Sequence, residues 1–293
     1  MEQKQEPRKI ALVLSSGGAR GLAHIGVIEE LEAQGYSITS VAGCSMGALV
    51  GGAYAAGRLK ELKELVCSMD RRKMFSLVDF SFSLNHLVKG DKVVETLRTV
   101  IPEVAIEVLP LPYCAISTDW ERGEEVVFRT GSLMEAIRAS ISLPALFDPR
   151  RTDGRILIDG GVINPLPLNR VERTEGDRLV GVDLSGHDYW GQRQVQLKAR
   201  ARGRNALTRR LPTPDTDVTY LSLLTRASSL MIRQNSRLME QLTQPDLLID
   251  IQMSRYSGMD YDKADRLIAI GRSATRQALG KAGIAPHGGH EGV

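Results

Sequence analysis

Residues 37–56, with the sequence SITSVAGCSMGALVGGAYAA, change from a strand pattern to a helix pattern within one turn. Residues 37–42 are rich in β-branched and apolar side chains, whereas residues 46–56 are small and apolar, as in a buried helix. Between them, Gly43-Cys44-Ser45-Met46-Gly47 fits the G-x-S-x-G pattern, in which a Cβ at either glycine would collide with the neighbouring turn. The pattern predicts that the hydroxyl of Ser45 stands at the carboxyl edge of a sheet. On this motif alone, a glycine-rich helix start that packs closely on the sheet is an equally good interpretation.

Strand and helix patterns alternate along the rest of the chain. Runs such as Ile10 to Leu14 are apolar at every position, which is typical of strands that are covered on both faces. The alternation predicts an α/β protein with a mostly parallel central sheet and helices on both faces. Further strands are predicted at residues 9–14, 112–118, 125–128, 155–158, 178–184 and 246–251, and helices at 22–34, 59–69, 91–100, 133–139, 262–282 and after Asp217.

The composition excludes several classes of protein. With 293 residues, of which 42% are hydrophobic, the chain is neither disordered, nor collagen-like, nor a small disulfide-stapled scaffold. Its three cysteines lack a CxxC spacing, which indicates a reducing compartment and no metal site. The longest uncharged apolar stretch, residues 41–57, contains five glycines and is shorter than the ~20 residues of a spanning helix. We expect a soluble, cytoplasmic protein.

The net charge of +3 combines two unlike parts of the sequence. Residues 191–211 contain seven Lys and Arg and no acidic residue, which leaves 31 basic and 35 acidic residues elsewhere. We therefore predict one domain over residues 8–283 with a basic insertion at about 188–214, and flexible termini at 1–7 and 284–293. The basic segment 191–211 suits peripheral contact with anionic membrane lipids, although a solvated surface loop explains it equally well. It contains no aromatic residue, so we expect no nucleic acid partner.

A glycine-rich loop, Ser15 to Gly21, joins the first predicted strand to the first predicted helix. Backbone N–H groups in such a loop bind anions. The anion is either a nucleotide phosphate or the oxyanion of a tetrahedral intermediate. The nucleotide interpretation needs an acidic residue after the second strand to bind the ribose, and Ser45 stands there instead.

A third motif, Asp159-Gly160-Gly161, follows the predicted strand at residues 155–158. An aspartate at a strand end can carry its carboxylate to the sheet edge where Ser45 is expected. Taken alone, an ordinary turn aspartate is the better interpretation.

In this order the three motifs resemble those of the patatin-like phospholipases, most closely the bacterial group related to the neuropathy target esterase catalytic domain. The resemblance implies a three-layer α/β fold and a serine hydrolase that cleaves carboxylic esters of lipids without a cofactor or metal. The activity implied is that of a phospholipase A, lysophospholipase or carboxylesterase, with a Ser–Asp dyad and an acyl-enzyme intermediate. The similarity extends over about residues 9–184, with matching segments at 17–27, 42–47, 117–119, 138–144 and 159–165.

Carried over by position, the resemblance makes Ser45 the nucleophile and Asp159 the base that also activates water. An ordinary aspartate, with a pKa of about 3.9, is a poor base at neutral pH, so its surroundings must raise that pKa or geometry must compensate. Ser16 replaces a family glycine, which requires a negative φ at that position. The backbone of Gly17, Gly18, Ala19 and Arg20 is predicted to form the oxyanion hole, and the supporting residues are Ser16, Gly21, Gly43, Gly47, Gly160 and Gly161.

Three alternatives to this assignment remain open at the level of sequence. One is a triad of Ser45, Asp159 and His187, since His187 follows a predicted strand as the histidine of α/β-hydrolases does. The others are a nucleotide-binding protein that uses residues 16–21 and a regulatory protein without catalysis. His24 is predicted to have a packing or hydrogen-bonding role, and Cys44 to fill space rather than react.

Overall fold

The computed structural model describes residues 8–69, 91–144, 147–186, 220–253 and 255–282, so His187, the basic segment 191–211 and the predicted flexible termini lie outside the described residues. The α-helices are α1 (Ala23–Ala33), α2 (Met46–Ala55), α3 (Leu59–Cys67), α4 (Asp91–Arg98), α5 (Leu133–Ser140), α6 (Tyr220–Thr243) and α7 (Ala264–Lys281). The strands are β1 (Arg8–Leu14), β2 (Tyr36–Cys44), β3 (Tyr113–Asp119), β4 (Glu124–Phe128), β5 (Arg150–Thr152), β6 (Arg155–Asp159), β7 (Arg178–Asp183) and β8 (Leu247–Asp250).

These strands form one sheet in the order β5-β6-β3-β2-β1-β7-β8, with β4 paired to β3. Strands β3, β2, β1, β7 and β8 run parallel to one another. Strands β4, β5 and β6 join the sheet at β3 through antiparallel pairings, with β4 on one edge of β3 and β6 on the edge that it shares with β2. The predicted mostly parallel α/β sheet is therefore confirmed. Strand β5 was not predicted because its three residues, Arg-Arg-Thr, carry no apolar run.

Strand β1 shows why the sequence produces three layers. Its residues Ile10, Leu12 and Leu14 belong to the larger apolar core, which also contains side chains of α1, α2, α5 and α7. The intervening Ala11 and Val13 belong to a second core on the opposite face, against which Met239 of α6 packs. Because successive strand residues point to opposite faces, a strand that is covered on both sides must be apolar throughout.

Local sequence signals mark several helix ends. The helix α1 stops before Gly35, which has a φ of +78°. At the start of α5, Ser132 accepts a hydrogen bond from the backbone N–H of Glu135 at 3.3 Å, as expected for a Ser-x-x-Glu capping box. In the described part of the chain, no helix combines the length and apolarity that a membrane span needs.

Candidate active site

The ends of β2 and β6 meet on one edge of β3. Strand β4 pairs with β3 along residues 115–119, and both β2 and β6 overlap this stretch, so both occupy the other edge of β3. On that edge Cys44, the last residue of β2, pairs with Ile116, and Asp159, the last residue of β6, pairs with Ser117. The antiparallel β6 thus runs toward the end of β2. Asp159 comes beside Ser45 through this head-to-head meeting of the two strand ends.

Ser45 occupies the sharp corner between β2 and α2. Its φ of 55° and ψ of −121° lie in a region that residues with a Cβ seldom adopt. A Cβ at Gly43 would lie 2.3 Å from the carbonyl oxygen of Gly47, and a Cβ at Gly47 would lie 2.2 Å from that of Leu14. A side chain therefore has no room at either glycine of this corner.

The hydroxyl of Ser45 donates a hydrogen bond of 2.5 Å to Oδ2 of Asp159. The other carboxylate oxygen, Oδ1, accepts the backbone N–H of Gly161 at 2.7 Å. Both side chains are buried, with 9% of Ser45 and 2% of Asp159 exposed. Burial raises the pKa of Asp159 to about 6, and the hydrogen bonds from Ser45 and Gly161 oppose that rise. A raised pKa is one of the two conditions under which an aspartate can accept a proton at neutral pH, the other being favourable geometry.

The backbone around Asp159 is held from both sides. Its N–H donates to the carbonyl of Ser142 at 2.9 Å, and its carbonyl accepts the hydroxyl of Thr118 at 3.1 Å. A Cβ at Gly160 would lie 2.4 Å from the carbonyl oxygen of Ile116, so β3 packs directly against this turn. These contacts fix the direction from which the carboxylate approaches Ser45.

The glycine-rich loop lies against the Ser45 corner. A Cβ at Gly21 would come within 2.4 Å of the Cβ of Met46, and a Cβ at Gly47 would lie 2.7 Å from the carbonyl oxygen of Ser15. The loop therefore approaches the Ser45 corner as closely as backbone atoms allow.

Several hydrogen bonds anchor the peptide groups of this loop. Nε2 of His24 donates to the carbonyl of Ser15 at 2.9 Å, and the N–H of Ser16 donates to the carbonyl of Pro165 at 2.9 Å. Nε of Arg20 donates to the carbonyl of Gly17 at 3.2 Å. Because the C=O and N–H of one peptide group point in opposite directions, the last contact directs the N–H of Gly18 away from Arg20.

The structure narrows the set of predicted oxyanion donors. The N–H of Ala19 donates to the carbonyl of Gly258 at 2.7 Å and is thus already engaged. Gly17 and Gly18 stand at the start of the short 3-10 turn Gly18–Leu22, and their N–H groups donate to no backbone acceptor in loops of the described ranges. Gly18 has a φ of +56°, and a Cβ there would lie 2.7 Å from the oxygen of Gly258, so this position requires glycine. Ser16 has no positive φ, which is the condition that its side chain imposes.

Two other reactive residue types near the site are held in inert forms. His24 is fully buried, and burial lowers its pKa to about 4 against the effect of its bond to Ser15, so the ring is neutral. Since Nε2 faces a carbonyl, it carries the proton, and Nδ1 is left without a partner among the described residues. Burial, with the charge of Asp159, raises the pKa of the Cys44 thiol well above its ordinary value, so Cys44 stays protonated.

Three residues at the site were not singled out by the sequence. Ser140 accepts the N–H of Ser45 at 2.8 Å and donates to the carbonyl of Ile116 at 2.5 Å, and its only sequence signal is its place in the segment 138–144. Gly258 accepts a hydrogen bond from the N–H of Ala19 in the glycine-rich loop. Burial raises the pKa of Tyr261 to about 12, and the charge of the nearby Asp159 adds to this rise. No local motif marks either residue, because both come to the site from the far end of the chain.

Together these groups can support nucleophilic acyl transfer. A serine hydroxyl bonded to a carboxylate of raised pKa supplies a nucleophile with its base, and backbone N–H groups at a helix start can bind a developing negative charge. The described residues contain no cluster of three His, Cys, Asp or Glu side chains that could hold a metal ion.

Comparison with known proteins agrees with this chemistry. Residues 12–171 match the family model described as patatin-like phospholipase. An NTE family protein of Mycobacterium tuberculosis is 42% identical over 201 residues, which cover 69% of this chain and 56% of the relative. A second NTE family protein of that organism is 28% identical over 277 residues, covering 93% of this chain and 46% of the relative. The chain thus spans about half the length of these curated relatives.

More distant relatives include mouse patatin-like phospholipase domain-containing protein 6, with 33% identity over 187 residues, 61% of this chain and 14% of the relative. Among solved structures, VipD from Legionella pneumophila aligns with a TM-score of 0.48 at 15% identity, covering 95% of this chain and 67% of that chain.

Proposed function

The chain belongs to the patatin-like phospholipase family, and from this premise we propose that it hydrolyses carboxylic ester bonds of lipids with a Ser45–Asp159 dyad. The substrate class proposed is a phospholipid or lysophospholipid. The observation that carries the proposal is the 2.5 Å hydrogen bond from the Ser45 hydroxyl to Asp159, whose pKa is raised to about 6.

In the first step, Oγ of Ser45 attacks the ester carbonyl while its proton passes to Oδ2 of Asp159. The N–H groups of Gly17 and Gly18 receive the oxyanion of the tetrahedral intermediate. The intermediate then collapses, the bond to the alcohol breaks, and the leaving alcohol takes the proton from Asp159. The acyl group remains on Ser45.

In the second step, water takes the place of the alcohol and gives a proton to Asp159 as its oxygen attacks the acyl carbonyl. Collapse of this second intermediate breaks the bond to Oγ of Ser45, which regains the proton from Asp159. Because a dyad contains no histidine base, the rate depends on the pKa of Asp159 and on the N–H donors of the loop. Loss of one such donor typically costs about 10² to 10³ in rate.

Labelling with a fluorophosphonate probe and hydrolysis of a short p-nitrophenyl ester test this proposal. We expect Ser45→Ala to abolish labelling, and Ser45→Ala and Asp159→Asn each to lower turnover by about 10³-fold or more. Ser273→Ala and Asp153→Asn change the same residue types at exposed positions and should leave both readouts unchanged. Turnover by a folded Ser45→Ala protein at the wild-type rate would refute the mechanism.

The His187→Ala variant separates the dyad from the triad. Substantial activity in this variant supports the dyad, whereas a loss equal to that of Asp159→Asn supports the triad. Melting shifts with NAD or ATP, in a protein that no fluorophosphonate labels, would instead favour nucleotide binding at the glycine-rich loop.

A further inference from the structure

The helix α6 exposes an apolar stripe along its length. Leu223, Leu230, Met231, Leu238 and Leu242 are between 45% and 80% exposed. At about 100° per residue, these five side chains share roughly a third of the helix circumference. Two exposed glutamines, Gln234 and Gln241, lie within the same sector. Large apolar side chains scattered singly on a surface are ordinary, but five in one sector of a helix indicate a surface that is covered in use.

The stripe is not the face with which α6 packs on the protein. The opposite side contains Ser236, which is 1% exposed, and Met239, which packs against the second core. The edge of that side contacts the turn after β6, where Nδ2 of Asn235 donates to the carbonyl of Val162 at 3.3 Å. The body of the protein therefore holds α6 in place and leaves the stripe uncovered by any described residue.

A row of arginines borders the stripe. Arg226, Arg233 and Arg237 fall together on one flank at the same 100° spacing, with Arg226 and Arg237 exposed and Arg233 half-buried. None of them forms a salt bridge with a residue in the described ranges. Glu240 is the only acidic residue in α6, and Asp250 of β8 lies near Arg237 and Glu240. Three arginines against these two carboxylates leave this surface with a net positive charge.

Exposed apolar side chains also border the turn that carries Asp159. Val162, which α6 contacts, is 44% exposed, and Leu143, next to the Ser142 carbonyl that binds Asp159, is 40% exposed. The helix α6 thus adjoins, at Val162, the turn that carries the proposed base.

We propose that the face of α6 formed by the apolar stripe and the arginine row docks on the surface of an anionic phospholipid bilayer. The leucines and Met231 enter the boundary between headgroups and acyl chains, and the arginines contact lipid phosphates, as in interfacial amphipathic helices. The role of this contact in delivering substrate rests on the proposed function, but the contact itself does not. A second copy of this chain fits the face less well, because a two-fold interface would bring arginine rows together with one glutamate each.

Vesicle flotation of the full chain carrying Ser45→Ala tests the proposal without hydrolysis of the lipid. The probes are vesicles of phosphatidylcholine alone and of phosphatidylcholine mixed with equal phosphatidylglycerol. We expect binding to the mixed vesicles, little binding to the neutral ones, and weaker binding as salt is raised. Two triple variants should each lower the partition coefficient at least about tenfold. The apolar variant is Leu230→Gln/Met231→Gln/Leu242→Gln, and the arginine variant is Arg226→Gln/Arg233→Gln/Arg237→Gln. For the arginine variant the reason is that one basic residue contributes about fivefold to binding.

The matched control is Lys60→Gln/Arg266→Gln/Lys281→Gln, which removes the same charge from exposed positions outside α6. Equal binding by this control and by the arginine variant would overturn the proposal, as would the absence of binding to anionic vesicles. A dimer in light scattering that the apolar variant abolishes would overturn it in favour of an interface between two copies.

Hydrolysis of a soluble short-chain ester, measured with Ser45 intact, separates this proposal from the proposed function. The α6 variants should retain that hydrolysis at the wild-type rate. A protein that binds vesicles through α6 but hydrolyses no ester would support docking and refute the proposed activity. A protein that hydrolyses the soluble ester but does not bind anionic vesicles would support the proposed activity and refute the docking.

Discussion

Ser45 has a backbone conformation that costs about 1–3 kcal/mol, and its neighbours hold it there. The N–H of Ser45 bonds to Ser140, and the glycines on either side of the corner leave no room for a Cβ. The sequence predicted this corner from five residues, because the steric demand is local. It did not predict Ser140, whose hydroxyl reaches Ser45 only through the pairing of β2 with β3.

The pH dependence of activity follows from Asp159. We expect kcat/KM for a non-ionising ester to rise about tenfold per pH unit below about pH 6 and to level off above about pH 7. The reason is that Asp159 must be ionised to accept the Ser45 proton, and its pKa is about 6. Initial rates over this range provide the measurement. An acid limb near the ordinary aspartate pKa would contradict the prediction.

The pH dependence of protein stability gives a second test of the raised pKa of Asp159. The pKa of Asp159 is 3.8 when unfolded and about 6 when folded, so the wild-type protein loses stability as pH rises through this interval. The free energy of unfolding of Asp159→Asn should therefore rise relative to wild type between about pH 4 and about pH 7, by up to about 3 kcal/mol. The exposed control Asp153→Asn should show no such trend in denaturant titrations.

At the scale of elements, α1 and α7 approach each other closely enough for backbone to touch backbone. A Cβ at Gly26 in α1 would lie 1.9 Å from the carbonyl oxygen of Ile268, and a Cβ at Gly271 in α7 would lie 2.0 Å from that of Ala23. The pairing also joins charges across the two helices, since Arg272 contacts Glu29 and Arg276 contacts Glu30. The periodicity of the sequence predicted both helices, but not that they cross at these glycines.

Alanine should therefore lower the free energy of unfolding at the two glycines of the crossing and raise it at a glycine outside the crossing. Gly26→Ala and Gly271→Ala should each lower the free energy of unfolding by about 3 kcal/mol, because the helices must separate to admit the methyl group. Gly280→Ala, also in α7, has nothing within 4 Å and should raise it by about 0.5–1 kcal/mol, since alanine has the higher helix propensity. Urea denaturation measures all three, and a neutral effect at Gly271 would refute the close crossing.

At the scale of the whole molecule, the site depends on residues beyond the part that matches the family model, 12–171. Strand β7 lies between β1 and β8, and its Val182 carbonyl accepts the N–H of Ser15 at 3.1 Å. Gly258 binds Ala19 in the glycine-rich loop. The part of the chain after residue 171 therefore completes both the sheet and the loop.

We expect a chain that ends at residue 171 not to fold on its own. Without β7, β1 becomes an unpaired edge strand, and the core loses Val180, Val182, Ile249 and Leu267. Thermal melting followed by circular dichroism should show a cooperative transition for the full chain and none for the shortened one. A cooperative transition in the shortened chain, with fluorophosphonate labelling of Ser45, would contradict this dependence.

The sequence by itself determined most of the helices and strands, the mostly parallel sheet and the serine corner, because periodicity and steric demand act over a few neighbouring residues. It also indicated Asp159, from its place at the end of a predicted strand. Only the tertiary structure decided that β6 meets β2 head to head, that burial raises the pKa of Asp159, and that Gly258 engages Ala19. These features depend on contacts between residues that are far apart in the sequence. Strand pairing, desolvation and charge act through space, where local pattern carries no information.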